Sequence, residues 1–229
     1  MGKTALALNI AYGCARKEIA SLFFSLEMSA TMLGMRLVAI HSGLDVKKIR
    51  RAKLNVEEEE KLTRALNEIE GLPIFVAEST SITPVEIRTR VSRMQRSSDI
   101  QLVIVDYLQL VRGSKEHYEN KQQEVGDVAE SLKRMAKELK IPVIALAQLN
   151  RKVEERTNKK PVLSDLRDSG QIEQAADVVA FLFREEVYDS HPGNAGDAEL
   201  IVAKNRNGDT GVSRLFFEKT STAFENNFF

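Results

Sequence analysis

Residues 101 to 110 read QLVIVDYLQL. Val103, Ile104 and Val105 follow Leu102 without a polar break, so the segment from Gln101 to Asp106 predicts a strand covered on both faces. Such strands belong to parallel sheets flanked by helices. The run then stops on a carboxylate, Asp106. An aspartate closing a buried strand stands at the carboxyl edge of the sheet, where open α/β sheets hold their ligands. An aspartate that only opens a turn would give the same local pattern.

Working outward, the chain repeats this alternation of short apolar runs and longer helical patterns, which predicts an α/β fold with a mainly parallel sheet. Ser21 to Leu26, Pro73 to Ala77, Ile141 to Ala147 and Val178 to Phe183 are the further strands expected. Helices are expected over Ala5–Arg16, Thr31–His41, Asp45–Leu54, Val56–Ile69, Thr83–Arg96, about Gln122–Leu139 and around Gln171–Ala176. The acidic run Glu57 to Glu60 suits a solvated helix N-terminus, and Pro84 suits a first turn. Ala198–Ala203 and Val212–Phe217 flank NRNGDTG and predict a closing hairpin. No repeat or low-complexity linker divides the chain, so one domain over residues 1–229 is expected.

The bulk numbers agree with a core of ordinary size. The 229 residues are 43% hydrophobic and 29% charged. Lysine plus arginine and aspartate plus glutamate number 33 each, so any anion-binding surface must be local. One cysteine, Cys14, excludes an internal disulfide and a cysteine-based metal centre. His41, His117 and His191 show no ligand spacing. No apolar stretch reaches the length of a membrane span, and a cytoplasmic protein is expected.

Three other features bear on chemistry. Gly2, Lys3 and Thr4, in MGKT, match the end of the phosphate-binding pattern GxxxxGK[ST], although such a tripeptide arises by chance in roughly one chain in ten. Glu27 follows the strand SLFFSL, and Gln148 follows IPVIALA. A carboxylate at Glu27 could accept a proton from an attacking water, and the Gln148 amide could bond a phosphate or a water. Singly, Glu27 could cap the next helix and Gln148 could be a turn residue. Together with Asp106 they place three polar groups at one sheet edge beside GKT, as a nucleotide site requires.

The segments MGKTALALNIA, FFSLEMSA, VIVDYLQL, IPVIALAQLNRKVEER, LSDLRDSGQIEQAADVV and IVAKNRNGDTG resemble, in order, the motifs of the DnaB-type replicative helicases, within the RecA-like P-loop NTPases. The resemblance runs from Met1 to about Phe224. In that family the motor domain follows an N-terminal domain and a linker helix, and the P-loop starts several residues before GK[ST]. Met1 is therefore expected to lie inside the P-loop, with the preceding strand and those N-terminal parts absent.

The resemblance implies ATP and Mg²⁺ as cofactors. Gly2 and Lys3 would hold phosphate, Thr4 and Asp106 the Mg²⁺, Glu27 would be the general base, and Gln148 would sense the γ-phosphate. Lys204 and Arg206, in AKNRNG, would act in trans on a neighbour's nucleotide; by turn composition alone they read as a solvated basic turn. Arg167, Asp168 and Gly170 match the DNA-binding loop, and Arg112 to Lys121 resembles a second channel loop. RKVEERTNKKP, Arg151 to Pro161, is mixed in sign and reads as an exposed loop or subunit contact. Met28, Met32 and Met35 read as core or interface filler. Implied partners are single-stranded DNA, further copies of the chain in a ring hexamer, a primase and a helicase loader. Two other readings remain open: another RecA-like recombination or repair ATPase, and a catalytically silent DNA- or partner-binding module.

Overall fold

The computed structural model describes residues 1–189 and 191–226, apart from the side chains of residues 151, 152, 167–169 and 192. The chain runs through α1 (Lys3–Ala15), β1 (Ser21–Ser25), α2 (Ala30–Ser42), α3 (Val46–Arg50), α4 (Val56–Ile69), β2 (Ile74–Glu78), α5 (Pro84–Ser98) and β3 (Leu102–Asp106). It continues through α6 (Lys121–Leu139), β4 (Val143–Ala145), α7 (Gly170–Ala175), β5 (Val178–Phe183), β6 (Asp197–Asn205), β7 (Gly211–Glu218) and β8 (Ala223–Asn226). Short 3₁₀ turns include Leu108–Leu110, Arg151–Glu155 and Leu163–Ser169.

β1 to β4 form a parallel sheet in the order β2-β1-β3-β4. Every residue of β1 and β3 is buried, which accounts for the unbroken apolar reading of both. Period-two alternation splits their side chains between two cores. Leu22, Phe24, Val103 and Val105 face Ile87 and Val91 of α5 and Val128 and Leu132 of α6. Phe23, Leu102 and Ile104 face Ala7, Leu8 and Ala11 of α1 and Leu33 of α2. The chain passes from β1 outward to β2, then returns to lay β3 on the other side of β1. The strand order therefore reverses at the β1–β3 pair, where Ser25 lies opposite Asp106. Open α/β sheets bind ligands outside such a reversal.

The helix starts follow local chemistry. Asn55 and Glu58 form a reciprocal cap at α4, Thr83 and Glu86 do so at α5 ahead of Pro84, and Ser29 caps α2. The acidic run Glu57–Glu59 falls in the first turn of α4, where the helix dipole favours it.

β5 has the bounds expected from the sequence, but its sheet is a different one. It leaves the parallel sheet and opens a second, antiparallel sheet in the order β5-β6-β7-β8. β5 pairs with β6 through Val178↔Asn205, so the hairpin strand takes its edge hydrogen bonds. β8, which the sequence reading did not include, completes the sheet. β4 is three residues long instead of seven. The second sheet packs on α1 through Leu182, Ala198, Phe217 and Phe224 against Ala5 and Leu6. Helix α1 is thus apolar on nearly all sides because it lies between two sheets. Asn9 stitches it to the last strand: its Oδ1 accepts from the Phe224 N–H at 3.0 Å and its Nδ2 donates to the Thr222 carbonyl at 3.0 Å. Among the described residues no helix is long and apolar enough to cross a membrane.

Candidate functional site

The site forms where α1 begins above the carboxyl ends of β1, β3 and β4. Gly2 precedes the helix with φ of 102°, a left-handed conformation that a side chain would strain. That turn starts the helix so that Lys3 and Thr4 point across the sheet edge. The Thr4 hydroxyl donates to Asp106 Oδ2 at 2.7 Å. The Lys3 ammonium donates to the Ala147 carbonyl at 2.5 Å, just past β4.

Asp106 is 2% exposed. Burial raises its carboxyl above the usual range and the nearby charge of Glu27 adds to this, while the Thr4 hydrogen bond and the charges of Lys3 and Arg36 pull the other way. Burial lowers the Lys3 ammonium from its ordinary value, against the attraction of Asp106 and Glu27. Glu27 is exposed, two residues past the end of β1, and shares the electrostatic field of Lys3 and Asp106. Lys3, Thr4, Glu27 and Asp106, from three separate stretches of sequence, share this rim.

Gln148 reaches the same rim differently from the reading of it as the last residue of a strand. β4 ends at Ala145, and Gln148 follows three residues later in an extended segment. Its backbone is clasped by Gln109: the Gln148 N–H donates to Gln109 Oε1 at 3.2 Å, and Gln109 Nε2 donates to the Gln148 carbonyl at 3.1 Å. The ladder gives out because the Ala147 carbonyl is taken by Lys3 and the Leu146 carbonyl by the Leu108 N–H. The Gln148 side chain is left exposed, one residue after the carbonyl that Lys3 takes.

Two residues of this rim were not singled out from the sequence. Gln109 lies three positions after Asp106, on the 3₁₀ turn that leaves β3. Arg36 lies on α2 in the field of both Asp106 and Glu27, and its own guanidinium is depressed by burial. Among the described residues it has no hydrogen-bond or ion-pair partner. It stands three residues after Leu33 and four before Ile40, both part of the core between α1 and α2. A cation at those offsets within an apolar helix face was the available signal.

Lys204 and Arg206 lie elsewhere. Lys204 lies near the end of β6 and Arg206 just past it; both bond the C-terminal end of α7 and its exit at Ala176 and Asp177, and among the described residues neither bonds the rim. Gly170 begins α7 and is exposed, with open space around it. The side chains of Arg167 and Asp168 lie outside the described residues. Their segment, Leu163–Ser169, is anchored by buried Leu166 against Val179 and Phe181.

The loop from Arg112 to Lys121 borders an open pocket of about 700 Å³ with Arg112, Lys115 and Lys121 on its walls. It carries one phenol, Tyr118, which donates to Asp127 at 2.8 Å and lies so close over Gly113 that any Cβ there would collide with it. Within 151–161, Arg156 donates to Asp165 at 2.8 Å and Lys160 pairs with Glu199 at 2.7 Å, so both cations are tied to the fold. Of the three methionines, Met28 packs into the α1–α2 core, whereas Met32 is 39% exposed.

With this geometry in place, three similarities identify the kind of chain. It is 43% identical over 227 residues to the replicative DNA helicase DnaB of Geobacillus stearothermophilus, which covers 99% of this chain and 50% of that protein. A solved structure of a DnaB-like replicative helicase, described with its interactions with primase, superposes with a TM-score of 0.95 at 35% identity, over 99% of this chain and 55% of that one. A solved ATPase domain superposes with a TM-score of 0.94 at 35% identity, over 99% of this chain and 81% of that one. The chain spans about half the length of the curated relatives it matches. The family model of the DnaB-like helicase C-terminal domain matches residues 1–226, and the chain belongs to that family.

Proposed function

We propose that residues 1–229 are one motor domain that hydrolyses ATP and drives a replicative helicase ring along single-stranded DNA. The observation that carries the reading is the Thr4–Asp106 hydrogen bond beside Lys3, at the strand-order reversal of a parallel sheet. A hydroxyl and a carboxylate offer the hard oxygen donors that Mg²⁺ takes, and the buried carboxylate is kept in place to receive a cation. Thr4 and Asp106 would hold the metal, which when bound neutralises charge on the β- and γ-phosphate oxygens.

The protein's own groups divide the remaining work. The N-terminal amides of α1, with Gly2 opening the turn, face phosphate. The Lys3 ammonium is partly desolvated and, among the described residues, bonded to a neutral carbonyl alone, so a phosphate oxygen is the better partner. Glu27 takes a proton from the attacking water. Gln148, held through its backbone by Gln109, can exchange hydrogen bonds with the γ-phosphate while its main chain stays fixed. The next stretch of chain leads to Leu163–Gly170, where Arg167, Asp168 and Gly170 would contact successive DNA phosphates, Asp168 through its backbone N–H or by orienting Arg167. Lys204 and Arg206 bond the end of α7 and Asp177 and not the rim residues of their own subunit, which suits service to a neighbour's nucleotide in a ring homo-hexamer. A primase and a helicase loader are the partners proposed for the longer protein, acting in the cytoplasm at the replication fork.

Family membership weighs against a recombination or repair ATPase. The silent-module reading is separated by titrating the purified chain and its longer parent with a fluorescent ATP analogue, then measuring phosphate release and strand displacement. Binding and turnover in the parent that are lost in Lys3→Ala support the motor. A parent that binds DNA but never turns over ATP overturns it.

A further inference from the structure

Lys204 and Arg206 are bonded in a way that the proposed trans role does not explain. The Lys204 ammonium donates to the carbonyls of Glu173 and Ala176, the latter at 2.9 Å. The Arg206 guanidinium donates to the Gln174 carbonyl at 3.4 Å and to the Asp177 carboxylate at 3.3 Å. The Arg206 backbone N–H donates to the Asp177 carbonyl at 2.8 Å. Lys133 of α6 shares the Asp177 carboxylate.

The Glu173 and Gln174 carbonyls are among those a helix leaves without partners at its C-terminus, the Ala176 and Asp177 carbonyls follow directly, and the helix dipole favours cations there. The two cations from β6 therefore cap α7. Helix α7 is six residues long and continues directly from Leu163–Ser169, the segment proposed to face DNA. Drawing the cations toward an anion in another subunit must uncap α7. By linkage, a ligand that shifts α7 changes the availability of the cations by the same factor.

Asp177, two residues beyond the end of α7, holds Arg206 by both main chain and side chain. We propose that Asp177 is a positioning residue that ties Arg206 to α7 and so couples the DNA-facing segment to the trans-acting cations. This rests on the reading of Lys204 and Arg206 as trans-acting and adds the residue that transmits DNA occupancy to them. The half-exposed ion pair adds little stability, so its loss should leave the fold and appear in the coupling.

The test uses the full-length protein that carries this domain, assembled and assayed for ATP turnover with and without oligo-dT. Asp177→Asn should keep unstimulated turnover and the KM for ATP while lowering stimulation by DNA about tenfold. Lys133→Met, which leaves the Asp177–Arg206 contact, should keep the stimulation. Independently, a non-hydrolysable ATP analogue should speed amide exchange over residues 171–176 in the wild-type assembly and not in Arg206→Ala. Wild-type stimulation in Asp177→Asn, or α7 exchange unmoved by nucleotide, overturns the proposal. If Asp177→Asn does not fold, the wild-type exchange measurement decides alone. Normal turnover in Arg206→Ala is a different failure: it removes the trans-acting reading itself, and the coupling with it.

Discussion

Thr4 and Asp106 are 102 positions apart, yet the threonine hydroxyl donates to the aspartate at 2.7 Å. The contact exists only because α1 starts above the end of β3, and it brings together the two oxygens proposed to hold Mg²⁺. Asp106→Asn keeps an acceptor for Thr4 and removes the charge. We expect the fold to be retained and ATP turnover at saturating Mg²⁺ to fall at least about a hundredfold. Turnover assays across a Mg²⁺ series with a thermal melt check both parts, and a fully active variant would remove Asp106 from the metal site.

Arg36 lies in the field of the same carboxylates and, among the described residues, has no hydrogen-bond or ion-pair partner. Arg36→Ala should lower kcat by about ten- to a hundredfold while the melting temperature stays close to wild type. Arg36→Lys should recover a substantial part, because a point charge in the same field is retained even though the planar fork is lost. Steady-state kinetics on the three proteins decide, and equal kcat in all of them would show Arg36 to be a bystander.

Arg206 lies away from its own rim. Arg206→Ala in the assembled longer protein should abolish turnover by several orders of magnitude while a fluorescent ATP analogue still binds. Mixing this variant with Lys3→Ala subunits should restore part of the activity, since each supplies what the other lacks. Full turnover in Arg206→Ala alone, or a mixture no more active than either variant by itself, would contradict action in trans.

Glu186 gives a pH prediction away from the site. Burial alone would raise its carboxyl, but hydrogen bonds from Lys219, Arg184 and the Gly196 N–H pull it down to about 2. The folded value lies below the ordinary carboxylate value. Its contribution is therefore complete above about pH 4.5 and is lost as pH falls toward about 2. Glu186→Gln should cost about 2 kcal/mol at neutral pH. In urea melts the gap to wild type should narrow over that interval, and a gap independent of pH would show that the ion network carries no net stability.

Much of the architecture was legible because its causes are local. The buried strand β3 is a continuous apolar run, α4 begins at Asn55 because its capping partner Glu58 is three residues away, and Pro84 marks the first turn of α5. The carboxyl-edge positions of Asp106 and Glu27 follow from where such strands stop. Arg36 was passed over because its meaning depends on which helix face meets the sheet. Gln109 was passed over because its partner is 39 positions away.

By itself, the sequence determined the order and type of most elements and the polar residues that end the buried strands, since periodicity, capping and chain reversal act within a few residues. Only the tertiary structure decided that β5 joins an antiparallel sheet, that Arg36 looks into the rim, and that Lys204 and Arg206 cap α7. Each of those depends on which of several compatible surfaces pack together, a choice made by burying the faces of α1 between two sheets and not by any short stretch of residues.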